Sequence, residues 1–207
     1  MIPRTKRLAK KTGFNSGIFV ISGPGGVGKT TLLKELFRKK QIQKNFIKGI
    51  TVTTRKRRIG ERNGRDYFFV KRKDFLQLKK KKFFLEYQKV LDNYYGTPRF
   101  FYELARREGK NLILCIDVKG GIYLKNNFKA AKIVTIFIAA PHEELYRRMQ
   151  KRREAKHIMQ RRLRLAKKEL RCARYYDHCV TNADKRQALR KIEAFMLRPR
   201  KALDFAI

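Results

Sequence analysis

The stretch SGPGGVGKTT, Ser22–Thr31, separates two segments of opposite character. Before it, GIFVIS, 17–22, is apolar with no polar face at helical spacing, and reads as a buried parallel strand. After it, TTLLKELFRKK, 30–40, carries apolar residues at helical spacing and reads as a helix starting at the loop. Between them, Gly23-x-x-x-x-Gly28-Lys29-Thr30 is a full match to the GxxxxGK[S/T] phosphate loop, in the strand–loop–helix context that the motif requires. Glycines let backbone N–H groups turn onto phosphate oxygens, and the helix start adds partial positive charge. Residues Gly23, Pro24, Gly25, Gly26, Val27, Gly28, Lys29, Thr30 and Thr31 are therefore expected to hold a nucleoside triphosphate. Lys29 is expected to reach the β- and γ-phosphates, and the Thr30 hydroxyl to ligate magnesium.

Working outward, the chain alternates apolar runs with helical patterns. NLILCIDV, 111–118, and AKIVTIFIAA, 131–140, read as further buried strands, and HCVTN, 178–182, as a short last one. Helical spacing is seen in RFFYELARREG, 99–109, in PHEELYRRMQKRR, 141–153, in IMQRRLRLAKKELRCARYY, 158–176, and in DKRQALRKIEAFM, 184–196. Buried strands alternating with helices imply an α/β fold with a parallel sheet and helical crossovers. Residues 50–97 break that rhythm. KGITVTTR reads as strand or extended chain, NGRDYFFV as a strand, RKDFLQLKKKK as an amphipathic helix, and FFLEYQKVLDNYYG as a hairpin turning at Asp92-Asn93. This section is expected to be an inserted mixed α/β lobe.

The chain has 207 residues, enough for one domain with a real core. Its apolar content of 43% argues against wholesale disorder, and no run approaches the roughly 20 apolar residues of a membrane span. Cys115, Cys172 and Cys179 show no paired spacing, and the three histidines form no ligand cluster. A cytoplasmic setting is expected. With 54 Lys and Arg against 17 Asp and Glu, the net charge is +37. Such a field binds nucleic acid non-specifically at low salt, but the cations are spread along the chain and no nucleic-acid signature accompanies them.

The inserted section holds TVTTRKRRIGERNGRDYFFV, then FLEY, then NYYGT. Arg55 and Arg58 can fork onto the oxygens of a phosphate dianion, and Tyr67 and Tyr95 can donate to the same group. Glu86 is an acid in a basic, aromatic lobe. A carboxylate accepts two hydrogen bonds side by side, which guanine offers at N1–H and N2–H₂ and adenine does not. Thr51 and Thr97 can donate to guanine O6. Taken together these residues suit a nucleoside monophosphate.

These ordered motifs, with the phosphate loop, make the sequence resemble the guanylate kinase family from about Gly17 to Met196. The resemblance implies a P-loop NTPase-type sheet flanked by helices, with a nucleotide-monophosphate lobe and a small lid. It implies transfer of the γ-phosphoryl group from ATP to GMP, with magnesium accompanying ATP. It places Thr51, Glu86, Gly96, Thr97 and Asp117 around the guanine, and Arg55, Arg58, Tyr67 and Tyr95 on the acceptor phosphate. It matches Arg148, Arg152 and Arg162 to the lid arginines, with Lys29 in catalysis, and Asn182 to a position near the adenine of ATP. The domain is expected over 17–196: core 17–49 and 98–196, GMP lobe about 50–97, lid about 150–160. Residues 1–16 form a basic extension and 197–207 a tail. ATP and GMP are the expected partners, with no membrane and no obligate protein partner. Three departures stand out. Cys115 replaces the first aspartate of the family's LDID strand, which bears on a water-mediated magnesium contact. The segment Lys151-Arg152-Arg153-Glu154 lacks the family's glycines. Thr51 and Thr97 stand where serine is usual. A phosphopeptide-binding module of the same fold is the rival reading, although such modules generally have degraded phosphate loops. A kinase acting on a sugar bisphosphate is disfavoured by the base-reading set Glu86, Thr51 and Thr97.

Overall fold

The computed structural model describes residues 16–150 and 156–197. A five-stranded parallel sheet forms its centre, in the order β2 (Phe46–Lys48), β7 (Asn111–Cys115), β1 (Ile18–Ser22), β8 (Ile133–Ala139), β9 (His178–Thr181). β1 lies in the middle with every residue buried, as its unbroken apolar run requires. Alternate side chains go to opposite faces. Phe19 and Ile21 join Leu32, Leu33 and Leu36 of α1 (Lys29–Leu36) and Ala188, Ile192 and Met196 of α8 (Lys185–Leu197). Ile18 and Val20 join Phe101, Tyr102 and Ala105 of α4 (Phe100–Arg107) and Leu124 of α5 (Val118–Asn127). The chain leaves β1 for the edge strand β2, and returns on both sides of β1 with β7 and β8. Ligands of such sheets sit outside the carboxyl ends of the strands at this switch point.

The inserted section is a second sheet in the order β4 (Phe68–Phe69), β3 (Val52–Thr53), β6 (Asn93–Pro98), β5 (Phe84–Val90), backed by α3 (Arg72–Lys80). It is not a detached lobe, because its Val52, Phe75 and Phe84 belong to the same apolar cluster as Ile18 and Val20. Phe75 is fully buried and stacks on Phe84 at 4.6 Å and Tyr94 at 5.3 Å between ring centroids. The β5–β6 turn is Leu91-Asp92, one residue earlier than the expected Asp92-Asn93, because Asn93 already pairs with Val90.

Two helices escape the sequence pattern, α2 (Lys40–Asn45) and α5. The strand expected to 118 stops at Cys115, since Asp117 turns the chain by accepting from the N–H groups of Lys119 and Gly120 at the start of α5. Gly120 and Gly121 hide this helix from propensity. A Cβ at Gly121 would lie 2.4 Å from the Tyr176 hydroxyl, so the glycine serves close packing. NGRDYFFV contributes only the two residues of β4. The long helical pattern after 156 divides into α7 (Lys156–Leu170) and a 3₁₀ turn at Arg171–Tyr175. α6 is His142–Gln150. Among the described residues no helix is long and apolar enough to cross a membrane.

Phe75→Ala removes the ring on which the lobe packs. It should cost about 3–5 kcal/mol, read as a lowered urea midpoint with the denaturant slope retained.

Candidate active site

The phosphate loop leaves β1 at Ser22 and reaches α1 at Lys29. Gly23 has φ 138°, and a Cβ there would lie 2.1 Å from the Ile138 carbonyl oxygen, so only glycine lets the loop turn this close to β8. Gly28, φ 95°, caps α1, and a Cβ there would meet the Asn182 amide at 2.6 Å. The Lys29 ammonium donates to the carbonyls of Gly23 at 2.6 Å and Pro24 at 2.9 Å, which holds it over the loop. Thr30 and Thr31 are exposed on the first turn of α1.

The loop forms one end of a cavity of about 230 Å³, and the lobe forms the other. Thr51, Arg55, Arg58, Tyr67, Glu86 and Tyr95 line it from the lobe, Cys115 and Asp117 from the end of β7, and Arg162 from α7. Residues spread over more than a hundred positions of sequence thus face one space. Arg55 lies over the Tyr67 ring at 5.3 Å, and Tyr67 meets Tyr95 edge-on at 6.3 Å. Burial pushes the Tyr67 phenol above its ordinary range, so it stays a neutral donor.

Glu86 is 2% exposed. Its Oε1 accepts from the Thr97 hydroxyl at 2.7 Å, and its Oε2 is buried with no hydrogen-bond partner. The carboxylate rests on α5, where a Cβ on Gly120 would come within 2.7 Å of Oε2. Burial pushes Glu86 up to about 8; the Thr97 hydrogen bond opposes the rise and the nearby Asp117 charge adds to it. Asp117 is raised too, through burial, against the two N–H groups it caps and the charge of Lys29.

Not every expected residue lines the cavity. The single proton of the Thr97 hydroxyl goes to Glu86, so in this structure Thr97 orients the carboxylate. Gly96 is the β6 partner of Tyr87 and Val52, and a Cβ there would collide with the Phe84 ring at 2.8 Å. Arg148 and Asn182 do not line the cavity and instead hold the phosphate loop at Val27. Arg148 Nε donates to Glu144 at 2.7 Å, Nη1 to the Val27 carbonyl at 3.0 Å and Nη2 to the Asn182 carbonyl at 3.2 Å. Asn182 Nδ2 also donates to Val27, at 2.6 Å. These bonds hold Arg148 on the loop backbone, and it does not join Arg162 in the lining of the cavity. Arg152 lies outside the described residues.

The guanylate kinase family profile matches residues 16–198. Over 185 residues the chain is 38% identical to the guanylate kinase of Rickettsia conorii, covering 88% of this chain and 79% of that one. Over 182 residues it is 39% identical to that of Bacillus anthracis, covering 87% of each. The crystal structure of guanylate kinase from Anaplasma phagocytophilum aligns with a TM-score of 0.70 at 30% identity, over 89% of this chain and 88% of that one. The chain belongs to the guanylate kinase family. It is a nucleoside monophosphate kinase by family, fold and phosphate loop.

Within this guanylate kinase fold, two acids matter that sequence reasoning passed over. Glu61 ties the arginine loop together: Oε1 accepts from Arg55 Nη2 at 2.8 Å and Oε2 from the Arg58 backbone N–H at 2.9 Å. Burial alone would raise its pKa, but these bonds prevail and hold it below the ordinary range. Glu169, on α7, lines the cavity, and burial pushes it up to about 7 against the opposing charge of Lys29. Both sit in strongly basic stretches, where a lone acid is the available signal. For magnesium, the cavity offers hard oxygen donors in the exposed Thr30 hydroxyl and the carboxylates of Asp117 and Glu169. No group of three potential ligands forms a dedicated cage among the described residues. That set fits a cation that keeps water and phosphate oxygens as its other ligands.

Because Glu86 binds its proton more tightly folded than unfolded, its contribution to stability is present below its ordinary value of 4.5 and is lost as pH rises through about 8. Glu86→Gln should remove this loss. Its melting temperature should exceed that of the parent by a margin that widens with pH across this window.

Proposed function

We propose that the protein transfers the γ-phosphoryl group of ATP to GMP, and to dGMP, giving ADP and GDP in purine nucleotide metabolism. The observation that carries this reading is Glu86, a buried carboxyl with one oxygen held by Thr97 and the other unpaired, on the wall of the cavity that the phosphate loop closes. Guanine supplies donors at N1 and N2 to such a carboxylate. Adenine presents an acceptor at N1 and would leave the ionised carboxylate unsatisfied, a penalty that discriminates strongly. Thr51 donates to O6, and Asp117 stands beside the base at the start of α5.

At the other end of GMP, Arg55 and Arg58 take the phosphate oxygens and Tyr67 and Tyr95 donate to them. Glu61 keeps the two arginines aligned. ATP lies with its phosphates on the loop N–H groups and Lys29. A GMP phosphate oxygen, already ionised, attacks the γ-phosphorus in line; the new P–O bond forms as the bond to the β-phosphate oxygen breaks and ADP leaves. No general base is needed, so the protein's work is positioning and charge. Lys29 and Arg162 neutralise the transferring group, with Arg152 as a third cation from the lid. Arg148 and Asn182 act through the loop backbone they brace. Thr30 would hold magnesium bound with ATP, and the ion would supply charge neutralisation at the phosphates.

The same reading divides the chain into a core of 17–49 and 98–196, a GMP lobe of about 50–97 and a lid of about 150–160. It places the enzyme in the cytoplasm, acting on small molecules without an obligate protein partner. Nucleic-acid binding through the +37 charge is expected to be incidental, and its loss at physiological salt would mark it so.

The test is ADP release with GMP, AMP, CMP and UMP as acceptors. Turnover on GMP alone is expected, and turnover on AMP equal to that on GMP would overturn the reading. Glu86→Ala should narrow the gap between GMP and AMP. Lys29→Ala should lower kcat by about a hundredfold or more while GMP binding persists. GMP binding needs Glu86 ionised, so its Kd in the parent should tighten as pH rises from neutral to about 8 and level off above. Calorimetry across that range checks the slope and the accompanying proton release.

A further inference from the structure

The tip of the β5–β6 hairpin and helix α7 meet across the mouth of the cavity. The turn residue Leu91 has φ 53°, a left-handed conformation unusual for a branched side chain, and the next residue is Asp92. The Asp92 carboxylate accepts from both terminal nitrogens of Arg161, Nη1 to Oδ2 at 3.1 Å and Nη2 to Oδ1 at 3.4 Å, across 69 positions of sequence. This is the two-pronged geometry in which a guanidinium fixes direction as well as distance. On either side of the pair, both elements wall the cavity: Val90, Leu91 and Asn93 from the hairpin, Arg162 and Leu165 from α7.

Charge makes the contact informative. α7 carries Arg161, Arg162, Arg164, Lys167 and Lys168, and the lobe opposite carries Arg55 and Arg58. Two cationic surfaces repel one another. An acid at the hairpin tip replaces repulsion with attraction at the place where the two approach.

We infer that the Asp92–Arg161 ion pair is a latch that ties the position of Arg162, over the transferring phosphate, to the position of the hairpin of the acceptor lobe. The two are positioning residues and touch no substrate. This rests on the reading of the lobe as the GMP site. Tyr95, on the acceptor phosphate, lies on the same strand β6 that the turn begins. Because the pair already joins the two elements, a movement of the hairpin on acceptor binding is carried to α7 and so to Arg162, the next residue.

The pair is exposed, Arg161 by 47% and Asp92 by 73%, so its effect is modest and screened by salt. Arg161→Ala and Asp92→Ala should each lower kcat about two- to fivefold with ATP affinity unchanged, and the double variant should fall no further. The swapped pair Asp92→Arg with Arg161→Asp should recover most of the loss. Added KCl should reduce kcat of the parent and leave the double variant nearly unaffected. Additive losses in the double variant, or a swap that fails to recover, would overturn the latch. A second readout does not depend on turnover. In nucleotide-free protein, Arg161→Ala should speed amide hydrogen exchange at both 91–95 and 157–165, and no change at either segment also overturns the latch. If the parent turns over no GMP, the functional reading fails while the exchange result still decides whether the contact exists.

Discussion

The carbonyl oxygen of Val27 is the point on which the site depends. Gly23, Gly26 and Gly28 all have positive φ, so the phosphate loop has a backbone free to turn and few side chains of its own to hold it. The brace comes from Arg148 and Asn182, which both donate to Val27. Arg148 is itself fixed by Glu144 on the preceding turn of α6, and Asn182 by its backbone bond to Ala139 at the end of β8. The loop that binds phosphate is thus shaped by chain that arrives more than a hundred residues later. Its conformation is a property of the assembled sheet, and its motif only permits it.

The second constraint is burial acting on acids. Glu86, Asp117 and Glu169 line a cavity for anionic substrates, and burial raises all three. At the base-reading end this has a cost. Under the proposed function, Glu86 must give up a tightly held proton before it can accept from a guanine, so part of the binding energy goes to ionising it. The return is selectivity, because a base that cannot supply two donors leaves the cost uncompensated. At the phosphate end the same principle appears reversed. Cys115, at the end of β7, has a thiol pushed upward by burial and brings no negative charge to Lys29. The carboxylates whose field meets Lys29 come from Asp117 and from Glu169 on α7.

What the sequence disclosed follows from which forces are local. β1, β7 and β8 were legible because a strand buried on both faces must be apolar throughout, and the phosphate loop because its chemistry needs glycines at fixed spacing. Glu86, Arg55, Arg58, Tyr67 and Tyr95 were legible as an ordered set, and they do face one cavity. α5 was hidden because its two glycines serve contacts with Glu86 and Tyr176, which no local pattern encodes. The same blindness concealed the capping role of Asp117, the attachment of Arg148 to the loop, and the use of the Thr97 proton on Glu86. Each is a tertiary contact. Glu61 and Glu169 were passed over because a pattern search in a chain this basic looks for cations.

That bias is instructive, because in a chain with 54 basic and 17 acidic residues the acids are the scarce component. Several sit where cationic segments would otherwise repel. Glu61 lies between Arg55 and Arg58, Glu144 joins Arg147 to Arg148, and Asp92 on the acceptor lobe meets Arg161 of the basic helix α7. An exposed pair of this kind contributes about 1 kcal/mol or less by itself. Its importance here lies in the comparison state: without the acid, the same geometry sets like charges side by side. The +37 charge is therefore best understood through the few residues that oppose it. They mark the places where this fold cannot tolerate repulsion, and two of those places, the arginine loop and the hairpin tip, border the cavity.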